Sequence, residues 1–176
     1  MGRDKAFLPF RGGTLAGFVA REVLAAASSA VLVGDPKPHE TLGFPVVPDL
    51  YPGEGPLGGI LTALAHSPAE WNLIVACDMP AVSADFLRGL LEAAENSQAD
   101  ALVPSNPVSG LPEPLCAVYR AGARPVIQAA FARGVRTVMT ALASDPEHLR
   151  LIHLHVPDAI CFQNVNTPEE WASVDL

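Results

Sequence analysis

Two aspartates in this chain each follow a short apolar run, where a carboxylate could take part in chemistry. Asp78 follows the run in LIVACDMP, and Asp49 follows the run in FPVVPD. Pro80 disfavours a helical conformation at Met79, so the chain just after Asp78 is expected to stay open. Asp78 could hold Mg²⁺, which takes one or two protein carboxylates and fills its other positions with phosphates and waters. Asp78 could equally cap a turn, and both interpretations stay open at this point.

A glycine-rich loop follows Asp49 and leads into a predicted helix that starts near Leu57. The loop reads YPGEGPLGG, with Gly58 and Gly59 at or inside the start of the helix. Backbone N–H groups of such a loop, together with a helix N-terminus, can cradle a phosphate or a polar ring. The pattern is neither a GxGxxG fingerprint nor a Walker A loop, so by itself it is a weak signal.

Lys5 is the third candidate, since it places a compact positive charge near the front of the chain. Such a charge could contact a polyphosphate, although a surface lysine could also serve only solubility. His153 and His155 alternate in a strand-like run and would share one face, but no third ligand lies near them in sequence. We therefore predict no zinc site.

The composition excludes several classes of protein. The 176 residues have a net charge of −8, and the 11 lysines and arginines form no cluster, which argues against a nucleic-acid binder. No apolar run is long enough to predict a membrane span, so we expect no membrane partner. Cys77, Cys116 and Cys161 are far apart and are expected to be buried, reduced thiols of a cytoplasmic protein. The length predicts a single domain over residues 1–176.

The elements that must position these residues alternate between helices and apolar strands. The strongest strand signal is WNLIVACD, and helices are predicted after the caps Thr14 and Ser83. ADALVP and PLCAVY are predicted to form an antiparallel pair, DPKPHETLG a loop, ICFQNV an extended segment and TPEEWASV a closing helix. The order predicts an α/β fold with a mostly parallel sheet and one antiparallel excursion. Ligands of such sheets bind at the carboxyl ends of the strands, where Asp78 lies.

Four stretches in order, MGRDKA, VVPDLYPGEGPLGGI, VACDMP and FQNVNTPEEW, resemble the molybdenum cofactor guanylyltransferases, the MobA-like branch of the nucleotidyltransferases. EPLCAVY matches a further segment of that family. The resemblance implies a Rossmann-like three-layer α/β sandwich with a mixed sheet. It also implies transfer of GMP from GTP to molybdopterin-bound molybdenum cofactor, with release of pyrophosphate and with Mg²⁺ as the metal cofactor.

The resemblance also implies roles for individual residues. Lys5 matches a lysine that contacts the GTP phosphates, and Asp78 matches the aspartate that binds nucleotide and Mg²⁺, so both are predicted to be catalytic. Asp49 matches an aspartate of the guanine-nucleotide site, and Gly58 belongs to a loop beside the base. Asn164 and Asn166 match a segment that the family associates with the pterin substrate.

The sequence departs from the family at two places. Gly34 stands where the family usually has an asparagine, and it cannot make a side-chain contact. The chain also starts at the MG of the family motif LAGGxSxRMGxDK, without the first strand and its glycine loop. We expect it to be an incomplete reading of a longer product, because the fold would otherwise keep an open apolar slot between two unpaired strands.

Other functions remain compatible with the same residues. A related nucleotidyltransferase that uses CTP or a sugar phosphate would share the fold and Asp78, and a non-catalytic binding module could retain the fold alone. The substrates expected from the resemblance are GTP and the molybdenum cofactor. The protein is expected to be a monomer or a weak homo-oligomer.

Overall fold

The computed structural model describes residues 5–157 and 160–162, without the side chains of Lys5 and Ile160. The α-helices of the described residues are, in chain order, α1 (Leu15–Ala27), α2 (Pro36–His39), α3 (Pro56–His66), α4 (Ala84–Glu95), α5 (Arg124–Ala132) and α6 (Val138–Leu142). The strands are β1 (Pro9–Phe10), β2 (Gly13–Thr14), β3 (Leu32–Val33), β4 (Val46–Val47), β5 (Trp71–Val75), β6 (Ala101–Ser105), β7 (Cys116–Arg120) and β8 (Leu151–His155).

Side-chain caps define where the two longest described helices begin. The Thr14 hydroxyl accepts a hydrogen bond from the Gly17 N–H at 3.2 Å, and the Ser83 hydroxyl accepts one from the Phe86 N–H at 3.3 Å. Each cap satisfies a backbone donor that has no partner within its helix, which stabilises a helix by about 1 kcal/mol. Both predicted caps are therefore confirmed.

The main sheet has the strand order β5-β7-β6-β8. β7 is antiparallel to β5 and β6, whereas β6 and β8 are parallel, so β7 alone runs against the other three. The short connection between β6 and β7 permits this reversal. The predicted sheet, mostly parallel with one antiparallel excursion in ADALVP and PLCAVY, is confirmed.

Helices cover both faces of this sheet. Successive side chains of a strand point to opposite faces, and in β7 Ala117 and Tyr119 belong to one buried cluster while Cys116 and Val118 belong to another. The first cluster contains apolar residues of α3, α5 and α6, and the second contains those of α1 and α4. Burial of each large aliphatic side chain stabilises the fold by about 1.5–3 kcal/mol. The result is a three-layer α/β sandwich.

Strands β3 and β4 form a separate parallel pair, and β3 shares no ladder with β5. An apolar groove of about 80 Å³ is lined by Val31 and Leu32 on one side and by Leu73 and Val75 on the other, with α1 beside it. Among the described residues, the β3–β4 pair and the main sheet are therefore two separate sheets.

Three local predictions are wrong. Residues 35–42, predicted as a loop, contain α2 and a 3-10 helix (Glu40–Leu42), because the Asp35 carboxylate caps the Lys37 N–H at 3.1 Å and Pro36 suits a first helical position. Ile160–Phe162, the described part of the predicted extended segment ICFQNV, forms a 3-10 helix instead. Cys77 is exposed, since it lies in the turn after β5, whereas the other two cysteines are buried as predicted.

Within the described ranges, the helices are too short or too polar to cross a membrane.

Candidate active site

Asp78 lies in the turn that carries the chain out of β5. The strand ends at Val75, and the Ala76 N–H still donates to the Leu115 carbonyl oxygen at 2.7 Å. Asp78 is half-buried, and Met79 after it is buried in the core. The chain beyond β5 therefore turns instead of entering α4 directly, in agreement with the effect expected of Pro80.

A second carboxylate, Glu113, precedes β7 near the same edge of the sheet, because β7 starts opposite the end of β5, with Cys116 paired to Val75. The Asn106 side-chain amide donates to Glu113 Oε1 at 3.4 Å. Partial burial raises the pKa of the Glu113 carboxyl above its usual range, and the hydrogen bond from Asn106 partly offsets that rise. Sequence reasoning did not select Glu113, although it stands in EPLCAVY.

Asp49 is built into the start of the glycine-rich loop. Its Oδ1 accepts hydrogen bonds from the Tyr51 N–H at 3.0 Å and from the Thr62 hydroxyl at 2.8 Å. Thr62 is fully buried in α3, and its oxygen accepts a bond from the Leu50 N–H at 3.0 Å. Asp49 and Thr62 therefore tie the loop to the helix that follows it, and Thr62 is a residue that sequence reasoning missed.

Gly58 permits the loop to lie against α3. A Cβ atom at this position would stand 2.9 Å from the Tyr51 Cβ and 3.2 Å from the Tyr51 carbonyl oxygen. A Cβ at Gly59 would meet nothing within 4 Å. The two adjacent glycines thus differ, because only Gly58 is required for close packing of the loop on its helix.

The loop itself makes a tight turn. The Glu54 N–H donates to the Tyr51 carbonyl oxygen at 3.1 Å, with Pro52 at the second position and Gly53 at φ 79° in the third. This is the residue pattern of a type II turn. Gly55 then precedes α3 with φ 76° and has no side chain that could cap the helix.

Residues from α5 and the loop after it hold the other side of the turn. The Arg136 Nε donates to Glu54 Oε2 at 2.6 Å, and its guanidinium lies 4.0 Å from the centre of the Phe131 ring. Tyr51 packs on Phe131 with ring centres 4.8 Å apart, and its hydroxyl donates to Gln128 Oε1 at 3.0 Å. Sequence reasoning did not find the ion pair, because Glu54 and Arg136 are 82 residues apart.

The structure thus brings Asp49 and Gly58 together through Tyr51 and Thr62, and it places Asp78 on a different element. The side chain of Lys5 and the residues Asn164 and Asn166 lie outside the described residues. Gly34 follows β3, where a Cβ atom would stand 3.3 Å from Cε1 of His39.

The donor set of the described residues fits one kind of metal site. No group of three or more His, Cys, Asp or Glu side chains able to hold a metal is found among them. Asp78 is a half-buried carboxylate at a strand end, and a single carboxylate suits Mg²⁺ when substrate phosphates and waters supply the other ligands.

The solved structures that resemble this chain define its class. A protein of Archaeoglobus fulgidus, described as molybdopterin-guanine dinucleotide biosynthesis protein A, has a TM-score of 0.77 and 29% identity and covers 97% of this chain and 88% of its own. The 2-C-methyl-D-erythritol 4-phosphate cytidylyltransferase of Thermus thermophilus has a TM-score of 0.71 and 20% identity, covering 96% and 90%. The latter likeness concerns the fold alone. Together they show the α/β fold of nucleotidyltransferases.

The sequence comparisons give the family. A relative from Deinococcus radiodurans, described as a probable molybdenum cofactor guanylyltransferase, is 33% identical over 176 residues, which span 98% of this chain and 86% of the relative. The model of the MobA-like NTP transferase domain matches residues 1–148. The chain belongs to this family, and the resemblance seen in its motifs is confirmed.

Proposed function

We propose that this protein transfers GMP from GTP to the molybdenum cofactor held on molybdopterin. The observation that carries the proposal is the match of residues 1–148 to the MobA-like NTP transferase domain, with Asp78 and the glycine-rich loop inside the matched range. The naming of the Deinococcus radiodurans relative supports the choice of substrate.

In the proposed reaction, an oxygen of the terminal phosphate of molybdopterin attacks the α-phosphorus of GTP. A new P–O bond forms, the bond between the α-phosphorus and its bridging oxygen breaks, and pyrophosphate leaves with the electron pair. The attacking phosphate is already ionised at neutral pH, so no protein group has to remove a proton. The protein is then required mainly to position two anions and to offset their repulsion.

Asp78 is the residue proposed to hold Mg²⁺, which when bound would neutralise charge on the phosphates. Lys5 would contribute a second positive charge to the triphosphate. Asp49 and Gly58 would shape the loop beside the guanine base, and their contacts with Thr62 and Tyr51 are consistent with that task. Asn164 and Asn166 are proposed to contact the pterin.

The test is a transfer assay with purified protein, GTP, Mg²⁺ and molybdopterin-bound molybdenum cofactor. We expect the guanine dinucleotide cofactor and pyrophosphate in equal amounts, and loss of both products when a chelator removes Mg²⁺. Absence of product under conditions that support a MobA-like relative would contradict the proposal.

A second candidate is a nucleotidyltransferase with another base preference, since a cytidylyltransferase shares this fold. Competition of CTP against GTP in the same assay separates the two: inhibition by GTP analogues alone supports the guanylyltransferase, and preferential use of CTP supports the alternative. A third candidate is a non-catalytic binding module. Calorimetric titration with GTP and Mg²⁺ tests it, because no detectable binding would favour the module over both enzymes.

A further inference from the structure

The glycine-rich loop has an exposed turn that needs an external support. Residues 52–56 are all exposed, and the base of the loop is attached to α3 through Asp49 and Thr62. Those contacts hold the loop as far as Tyr51, the first residue of the turn, whose ring also packs on Phe131 of α5, but they do not reach residues 52–54. The position of the turn depends on what its own side chains contact.

Arg136 provides such a contact, and its side chain is held in place by groups other than Glu54. Its Nη1 donates to the carbonyl oxygens of Phe131 at 2.9 Å and Val135 at 3.0 Å, while its plane lies over the Phe131 ring. A guanidinium can make these contacts at once because its donors have a fixed geometry, whereas a lysine ammonium cannot. The arginine is therefore oriented before it meets Glu54.

The ion pair is not placed to stabilise the core. The side chains of Arg136 and Glu54 are 43% and 46% exposed, and pairs of that exposure contribute little to the free energy of unfolding. The helices on either side, α3 and α5, already pack through buried residues such as Leu57, Ile60 and Ile127. The pair thus connects an exposed turn to a rigid helix without being needed to hold the helices together.

We propose that Arg136 is a positioning residue for nucleotide binding: through its ion pair with Glu54 it fixes the turn of the glycine-rich loop against α5. The inference rests on the proposed function, because it assumes that this loop contacts the nucleotide. Fixing the loop beforehand lowers the ordering cost of binding, so the effect falls on affinity for GTP.

The decisive variant is Glu54→Gln, which breaks the ion pair but keeps the positive charge of Arg136. We expect the KM for GTP to rise about three- to fivefold with kcat unchanged, because an exposed ion pair contributes at most about 1 kcal/mol and lost binding that is equal in ground and transition states changes KM alone. The KM for the molybdenum cofactor and the melting temperature should stay unchanged. If Arg136 instead bound the nucleotide directly, Glu54→Gln would leave the KM for GTP unchanged or lower it, and the proposal would be wrong.

Arg136→Lys and Arg136→Gln test whether orientation matters beyond charge. A lysine ammonium cannot lie flat on the Phe131 ring while it donates to the Phe131 and Val135 carbonyl oxygens. Both variants should therefore raise the KM for GTP by similar factors. Rescue by lysine would overturn the orienting role. The matched control is Glu70→Gln, which breaks an Arg–Glu pair of 3.1 Å whose arginine, Arg120, also lies over an aromatic ring, that of Trp71. It should leave the KM for GTP unchanged.

Hydrogen exchange of the unliganded protein separates failure of this inference from failure of the proposed function. The amides of Glu54, Gly58 and Gly59, which donate to carbonyl oxygens of the loop, should exchange faster in Glu54→Gln and in Arg136→Gln than in the parent or in Glu70→Gln. Unchanged exchange would refute the fixing of the turn by Arg136, whether or not the protein uses GTP. Faster exchange with an unchanged KM for GTP would refute the role of Arg136 in nucleotide binding. Faster exchange in a protein that binds no nucleotide would refute the proposed function, and with it the role of Arg136 in nucleotide binding.

Discussion

The two ends of β5 carry polar groups that the fold uses differently. At the amino end, the Arg120 guanidinium pairs with Glu70 at 3.1 Å and lies 4.7 Å from the centre of the Trp71 ring. The Ala121 N–H donates to the Glu70 carbonyl oxygen at 2.7 Å. These groups extend the contacts between β5 and β7, so the polar groups at this end serve to stabilise the sheet.

At the carboxyl end the same two strands hold two carboxylates near one edge. Asp78 lies in the turn after β5, and Glu113 precedes β7 with its ionised form disfavoured by partial burial. Substrates of open α/β sheets bind at this end of the strands. Similar residues occur at both ends of β5. The role of an ion pair or a carboxylate in this fold therefore depends on the end of the strand at which it lies.

The largest expected effect is that of removing the carboxylate at the carboxyl end of β5, compared with removing a carboxylate at its amino end. Asp78→Asn should lower kcat/KM for GTP at least about 100-fold, because the proposed magnesium ligand and its charge are lost. Glu70→Gln should keep full activity. Both variants should melt within about 2 °C of the parent, as expected for changes outside the core. Full magnesium-dependent activity in Asp78→Asn would break the comparison.

The next effect concerns the loop and compares two neighbouring glycines of α3. Gly58→Ala should lower the free energy of unfolding by about 1–3 kcal/mol, because its methyl group would meet Tyr51 at 2.9 Å. Gly59→Ala should raise it by about 0.5–1 kcal/mol, because alanine favours a helix and the space is open. Urea unfolding measures both changes, and equal signs for the two variants would show that the loop does not press on α3 at Gly58.

The smallest effect is a pH dependence at Glu113. A carboxyl group whose pKa is raised by folding binds its proton more tightly in the folded state, so stability falls as pH rises from the unfolded to the folded pKa. Glu113→Gln should therefore raise the urea midpoint slightly at neutral pH, and the gain should vanish in acid. Glu92→Gln on the exposed face of α4 is the control for loss of a carboxylate. A gain that grows as pH falls would contradict the direction of this shift.

Sequence patterns were sufficient where the relevant contacts are local. The caps at Thr14 and Ser83 act on N–H groups three residues away, and the strands of the main sheet follow from short apolar runs. The failed loop prediction for residues 35–42 is of the same local kind, since an aspartate followed by a proline is typical both of a turn and of a helix start. Motif order was enough to identify the family.

The amino-acid sequence alone thus determined the α/β class, the strands of the main sheet, the family and the candidates Asp78, Asp49 and Gly58. Only the tertiary structure decided what surrounds them: Asp49 bonds to Thr62, 13 residues away, Gly58 yields space to Tyr51, and Glu54 meets Arg136 across 82 residues. The physical reason is that hydrogen bonds and close packing act over a few ångströms in space. Residues far apart in the chain reach such distances only when the layers of the sandwich have packed.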